Sequence, residues 1–373
     1  MRGTLRALFV NEGDLGVGVM GHVPVQRAIS SGLAGMDDVD AHFAMLPPMG
    51  PAARALSRHL PLLGALDLDL QTVRWHLVQA WRARQVVRRA LAAAPVDVLH
   101  ITSHSISFGL IDEMRRLPTF LSLDATVWDW QAMGVWRPVR RHSRALLAPS
   151  LRLERRALER ARAVLAWTPW ARRRTQLAYP RARVLEHNPG IDLERFRPET
   201  RTQRERARVL FVGGRFREKG GFDLLAAVEP LLGRELELDL VTPATLPERA
   251  GLRVHRLGRD DPALVQLYQQ ADVFCLPTQA DTMGWVLLEA MACATPVIST
   301  NVGGIPDLVH DGTGILVPPA EPPALRAALE ALVQDEGARR RLGAQGRTVC
   351  EQRYDARRQT AELIRLMREA VED

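Results

Sequence analysis

A chain of 373 residues exceeds what one hydrophobic core usually organises, so two domains are expected. With 46% apolar and 25% charged residues it is neither disordered nor fibrous, and no apolar run reaches the roughly 18 to 20 residues of a membrane span. The net charge of +7 hides an asymmetry: residues 1–195 hold 27 Arg and no Lys against 17 acids, a balance of +10, and the remainder holds 23 basic against 26 acidic residues, a balance of −3.

The start, "MRGTLRALFVNEGD", meets an acidic, Gly-rich loop before a signal-peptide core is complete, so a cytoplasmic location is expected. The Arg clusters "WRARQVVRRA", "RPVRRHSRALL", "RLERRALERARA" and "ARRRTQ" are either solvated helix faces or a surface for anionic lipid headgroups or an anionic acceptor. Peripheral attachment to the inner face of a membrane therefore stays open. Nucleic acid is not an expected partner, because aromatic residues are only 5% and no basic stretch interleaves Phe or Tyr as stacking platforms do. Cys275, Cys293 and Cys350 form neither an even framework nor a Cys-x-x-Cys pair and are expected to be reduced, with Cys275 and Cys293 as small core residues.

Short Val-, Leu- and Ile-rich runs alternate with longer helical patterns, the habit of parallel sheets covered by helices on both faces. The first strand is predicted at "LRALFVN". After it, "GDLGVGVMG" carries Gly16-x-Gly18-x-x-Gly21, with Asp37, Asp38 and Asp40 about twenty residues on, which is the spacing of a dinucleotide fingerprint. Because "NEGDL" separates the strand from that first Gly, an NAD-dependent dehydrogenase is the weaker reading; a loop approaching a diphosphate and a plain turn are the others. Strands follow at "DAHFAML", "VDVLHIT", "TFLSLDA" and "AVLAWT", with a helix over 70–93 between the second and third. His104 sits just past the third strand, as a sugar contact or an untasked loop histidine. Asp124 ends the fourth, facing an acceptor or donor sugar or capping the next helix. Trp128, Trp130 and Trp136 crowd the following loop, packing in the core or against a sugar face or lipid chain.

"HNPGIDLERFRPETRTQ" reads as a connector, and the pattern restarts with "RVLFVGG". Helices and strands follow at "FDLLAAVEPLL", "LELDLVTP", "RVHRLG", "PALVQLYQQA", "DVFCLPT", "VLLEAMACA", "TPVIST" and "TGILVPP", and residues 322–373 are helical by their 3.6 periodicity. The expected division is 1–195, 196–350 and a C-terminal helix over 351–373 crossing back to the first domain.

Chemistry concentrates in the second half. In "FVGGRFREKGGFDLL" a strand ends at Val212, Arg215 and Lys219 follow, and a helix begins near Gly221. Lys219 is the only lysine in a chain with 49 arginines, which marks a place where a compact ammonium suits better than a planar fork; a pyrophosphate is a natural partner. In "DTMGWVLLEAMACATPVISTNVGGIPD" Asp281 precedes a helix start near Met283–Trp285, where backbone N–H groups and the helix dipole suit phosphate oxygens and Gly284 permits close approach. Glu289, inside that helix, suits two ribose hydroxyls. A carboxylate beside a diphosphate repels it, so Asp281 makes sense on the neutral hydroxyls of a sugar.

These motifs, "HNPGIDLERFRP", Arg215 with Lys219, and Asp281 and Glu289 separated by seven residues before "EAMACATPVISTNVGGIPDLVHDGTGILVPP", resemble the retaining glycosyltransferases of family four. The resemblance covers the C-terminal half continuously and residues 1–195 weakly. It departs at Asp281, where the family usually carries Glu, at "DTM", and in a shorter Arg-to-Lys spacing. It implies an α/β GT-B fold, two doubly wound Rossmann-like domains with a cleft between them. It further implies a nucleotide diphosphate sugar as donor, no cofactor and no metal. The expected catalytic residues are Asp124, Arg215, Lys219 and Asp281. The donor would be held by Gly16, Gly18, His104, Arg215, Lys219, Asp281, Glu289 and the amides of Met283, Gly284, Trp285 and Val286. The implied reaction is transfer of a hexose with retention, the leaving diphosphate taking the acceptor proton, to a lipid, a glycan or a small metabolite. A non-catalytic sugar-nucleotide binder is the alternative. A phosphorylase-like enzyme would need a lysine for pyridoxal phosphate, and the one lysine is already assigned.

Overall fold

A computed structural model describes residues 3–13, 22–65, 68–134, 142–310 and 312–373. The chain divides into two compact units, Met1–Pro189 with Arg357–Asp373, and Gly190–Ala356. Among its described residues the first contains six parallel strands, β1 (Leu5–Asn11), β2 (Val39–Met45), β3 (Val98–Thr102), β4 (Thr119–Leu123), β5 (Ala163–Ala166) and β6 (Val184–Glu186). Their spatial order is β2-β1-β3-β4-β5-β6. Every residue of β3, β4 and β5 is buried, the consequence of helices covering both faces of the sheet centre, whereas β2 at the edge is only partly covered. The second unit repeats the plan with β7 (Ala207–Val212), β8 (Leu236–Val241), β9 (Leu252–His255), β10 (Val273–Leu276), β11 (Val297–Thr300) and β12 (Gly314–Val317), in the order β12-β11-β10-β7-β8-β9. Both units are thus doubly wound α/β sheets.

The predicted elements fall within a few residues of the observed ones, and the helix expected over 70–93 spans Gln71–Ala93. The three-residue strand β6 is too short to leave a periodic signal. The tail resolves into three helices, Pro322–Gln334, Glu336–Arg353 and Ala356–Glu372. The first unit ends at Pro189, six residues before the expected boundary, because the chain from Gly190 stays with the second: Ile191 N donates to Tyr354 O at 2.7 Å and Ala356 N to Ile191 O at 3.0 Å. The connector is strapped along that unit as well, Arg201 Nη2 donating to Ala294 O at 2.8 Å. The last helix belongs to the first unit from Arg357 on. There Arg368 Nη2 reaches Asp38 O at 2.8 Å, and Gln359 O lies 2.9 Å from His187 Nε2. All three cysteines are buried and free, and burial pushes their thiols up.

A buried carboxyl ties the first unit together. Glu154, on the helix Ser143–Arg160, has no exposed surface. Its Oε1 accepts from Val127 N at 2.8 Å and lies 3.2 Å from His104 Nε2, and its Oε2 accepts from the Tyr179 hydroxyl. Burial pushes its pKa from 4.5 up to about 8, against the pull of the Tyr179 and Val127 hydrogen bonds, with Asp129 adding to the rise. Between those two values the unfolded chain has released this proton and the folded chain has not. The stability that Glu154 contributes is therefore full below pH 4.5 and is lost as pH rises towards 8, at up to about 1.4 kcal/mol per pH unit. A Glu154→Gln variant is expected to show a flatter loss of melting temperature across that window than the native chain; equal slopes would contradict the assignment.

Candidate functional site

In open α/β sheets the crevice for a ligand lies beyond the carboxyl ends of the strands where the winding reverses. In the second unit that point falls between β7 and β10, which pair in parallel with Val273 opposite Val209 and Phe274 opposite Leu210. Two loops leave these strands, 213–220 and 277–284, and they are clamped together. Gln279 N donates to Glu218 O at 2.9 Å and Thr278 Oγ1 to the same oxygen at 3.2 Å. Gly220 adopts φ +75°, and a Cβ there would sit 1.8 Å from Pro277 O, so only glycine allows this approach.

The clamp sets Lys219 Nζ 2.5 Å from Asp281 Oδ2, with side chains 18% and 13% exposed. The other carboxylate oxygen, Oδ1, accepts from Met283 N at 3.2 Å and Gly284 N at 3.0 Å. Gly284, at φ +75°, is the N-cap of the helix Trp285–Ala292. Asp281 thus bridges the only lysine and a helix N-terminus. Burial acts to raise its pKa, but the Lys219 charge and hydrogen bond, with the two amides, outweigh this and hold the carboxyl below its ordinary range. Two of the four amides expected to face a donor therefore have a partner inside the chain. Arg215 follows β7 in the same loop, its carbonyl accepting from Lys219 N at 2.9 Å, and burial lowers its pKa against the opposing charge of Glu218.

Glu289 is buried one turn into the helix, and its Oε2 accepts from the Tyr268 hydroxyl at 2.6 Å. Tyr268 is fully buried, and burial, then the Glu289 charge, raises its pKa well above the ordinary value. Sequence reasoning missed this partner: Tyr268 shares the buried face of helix Pro262–Gln270 with Leu264, which looks like core packing and nothing more.

The other predicted residues lie in the first unit. Gly16, Gly18 and Trp136 fall outside the described residues. Asp124 follows β4, half-buried, its Oδ1 accepting from Trp130 Nε1 at 3.4 Å. It does not cap the next helix; Thr126 does, exchanging hydrogen bonds with Asp129. His104 begins a short helix after β3 and is engaged by Glu154. Trp128 packs on the core with the Arg144 guanidinium 5.3 Å from its ring centre.

A second cluster was not anticipated. In the first sheet the winding reverses between β1 and β3, and there Glu12 is buried, its Oε1 accepting from Gln79 Nε2 at 3.2 Å and Ser105 Oγ at 3.3 Å. Burial pushes it up to about 7, opposed by hydrogen bonds from Ser103, Gln79 and Ser105 and by the Arg82 charge. Ser103, beside it, has φ 121°, a strained conformation for a side chain with a Cβ. The signal was a Glu directly after an apolar strand, in "LFVNEG".

A family model described as Glycosyl transferases group 1 matches residues 206–335. A D-inositol 3-phosphate glycosyltransferase of Kribbella flavida is 36% identical over 192 residues, which cover 43% of this chain and 45% of that protein. One of Corynebacterium diphtheriae is 34% identical over 185 residues, covering 42% and 43%. The matches thus span somewhat under half the length of these curated relatives. Among solved structures, a sucrose-phosphate synthase from Thermosynechococcus elongatus superposes with TM-score 0.75 at 21% identity, covering 98% of each chain. The Anabaena protein HepE in complex with UDP and glucose gives 0.67 at 16%, covering 98% of this chain and 100% of that one. The matched stretch holds the whole β7/β10 crossover and is similar to the glycosyl transferases group 1 model, and the fold shared over nearly the full chain is GT-B.

Proposed function

We propose that this protein is a retaining glycosyltransferase that moves a hexose from a nucleoside diphosphate sugar to an acceptor hydroxyl. The observation that carries the reading is the Lys219–Asp281–Gly284 chain at the β7/β10 crossover, an ammonium and a helix N-terminus aimed at one carboxylate. It is supported by the curated relatives, named as D-inositol 3-phosphate glycosyltransferases, and by the UDP and glucose bound in HepE.

In this reading Asp281 holds the anion site until a donor arrives. The diphosphate then takes over Lys219, with Arg215 beside it in sequence, and the helix amides of Met283 to Val286. Asp281, released, accepts hydrogen bonds from the hydroxyls of the donor sugar. Glu289, held by Tyr268, accepts from the ribose hydroxyls. The acceptor oxygen forms its bond to the anomeric carbon on the face that the phosphate oxygen leaves, and the departing diphosphate takes the acceptor proton. Arg215, Lys219 and the helix dipole stabilise the charge that develops on it. Side chains supply the neutralisation, so neither metal nor cofactor is invoked. Asp124 and His104, at the ends of β4 and β3, are proposed sugar contacts in the first unit, and Gly16 and Gly18 are proposed donor-binding residues that lie outside the described residues. The acceptor is a lipid, a glycan or a small metabolite.

Replacing Lys219 with Ala is expected to lower kcat by about 100- to 1,000-fold with the fold retained, in an assay of transfer or donor hydrolysis. Turnover equal to that of the native chain would refute its role; a native chain without turnover that still binds donor would identify a non-catalytic sugar-nucleotide binder. Asp281→Ala separates the two halves of a donor. By calorimetry it is expected to bind a nucleoside diphosphate at least as tightly as the native chain, because Lys219 and two amides are freed, yet to lose transfer. Weaker diphosphate binding would contradict the exchange of partners.

A further inference from the structure

Among the described residues of the first unit, an apolar face stands uncovered beside the helix Gln71–Ala93. Leu70, Leu77 and Trp81 lie on one side of this helix at spacings that make them neighbours through Arg74, and Trp81 is 62% exposed. The segment before it adds more. Helix Pro51–Leu56 buries no residue, and Leu62, in helix Pro61–Ala65, is 84% exposed with Leu56 and Leu63 exposed nearby.

The segment is held in place rather than loosely draped. Arg74 Nε donates to Leu56 O at 3.0 Å and Nη2 to Arg58 O at 2.8 Å, while Gln71 Nε2 donates to Ser57 O at 3.1 Å. The buried Asp69 carboxylate accepts from Leu60 N at 3.0 Å, lies 2.7 Å from His59 Nδ1 and pairs with Arg74 at 2.9 Å. Polar groups are thus consumed inward, and leucine side chains are left facing outward.

Positive charge predominates along this face, although Arg84 and Arg88 pair with Asp112 and Glu113 at 3.1 and 2.9 Å. Residues 51–93 contain seven Arg and two Asp, with no Glu or Lys, and Arg54, Arg58 and Arg89 are exposed. A second copy docked through the same face about a two-fold axis would set these arginines against their own counterparts, which disfavours self-association. Leucines and an exposed tryptophan ringed by arginines match the other partner of that chemistry: an anionic bilayer surface, where Trp sits at headgroup depth and Arg meets lipid phosphate. Among the described residues no helix is long and apolar enough to cross a membrane, so the contact is interfacial.

We propose that the face formed by Leu56, Leu62, Leu63, Leu70, Leu77 and Trp81 with its flanking arginines docks this protein onto an anionic lipid surface. The inference rests on no part of the sugar-transfer reading. It is tested by sedimenting the full chain with vesicles of phosphatidylcholine, alone or with phosphatidylglycerol, and repeating this with a Leu62→Asp, Trp81→Ser double variant. Both positions are exposed, so the variant is expected to keep the native melting temperature. The native chain is expected to bind vesicles containing phosphatidylglycerol, less so in high salt and far less with phosphatidylcholine alone, and the double variant to bind at least about tenfold more weakly. Three results would overturn the proposal: no binding to the anionic vesicles, equal binding by the double variant, or a native dimer in sedimentation velocity that the double variant converts to monomer.

Discussion

An ammonium, a carboxylate and two backbone amides, those of Lys219, Asp281, Met283 and Gly284, form one continuous electrostatic chain at the crossover of the second sheet. Little of this adds to net stability, because desolvating the ion pair offsets most of its attraction. Its effect is positional. The pair can form only where β7 and β10 lie side by side, the two loops are clamped through Glu218 O, and glycine at 220 lets the backbones touch. Arg215, the helix that carries Glu289, and through it Tyr268, all take their places from that arrangement.

Much of this was legible because a lone lysine, and glycines placed where helices begin, are strong local signals here. A single Lys among 49 Arg, glycines at the starts of two helices, and Val-rich runs of strand length located the site's loops and both sheets without any long-range information. What escaped depends on tertiary approach. Nothing local says that the Tyr268 hydroxyl reaches Glu289, that the Glu154 carboxyl gathers Val127, Tyr179 and His104, or that Glu12 sits under Gln79 and Ser105. The sequence also suggested open amides at the second helix start, whereas Asp281 satisfies two of them. A side chain three residues ahead of an N-cap can fold back onto it, and composition does not reveal when it does.

The two units share a topology but not an electrostatic character. At its point of reversed winding the first keeps a carboxyl raised by burial and a strained serine; the second keeps a carboxylate lowered by an ammonium. The first also carries the cationic, leucine-studded face, while the second has a slight excess of acids and keeps its decisive positive charge inside one loop. This partition is what the two proposals, a diphosphate site in the second unit and an anionic surface at the first, would both require.

In the proposed function Asp281 holds the place that a donor phosphate takes. The most direct measurement is a crystal structure of the protein with a nucleoside diphosphate bound. Phosphate oxygens within hydrogen-bonding distance of Lys219 Nζ and the Gly284 amide, with Asp281 turned away from both, are the predicted result. A diphosphate bound elsewhere, with the Lys219–Asp281 pair intact, would contradict it.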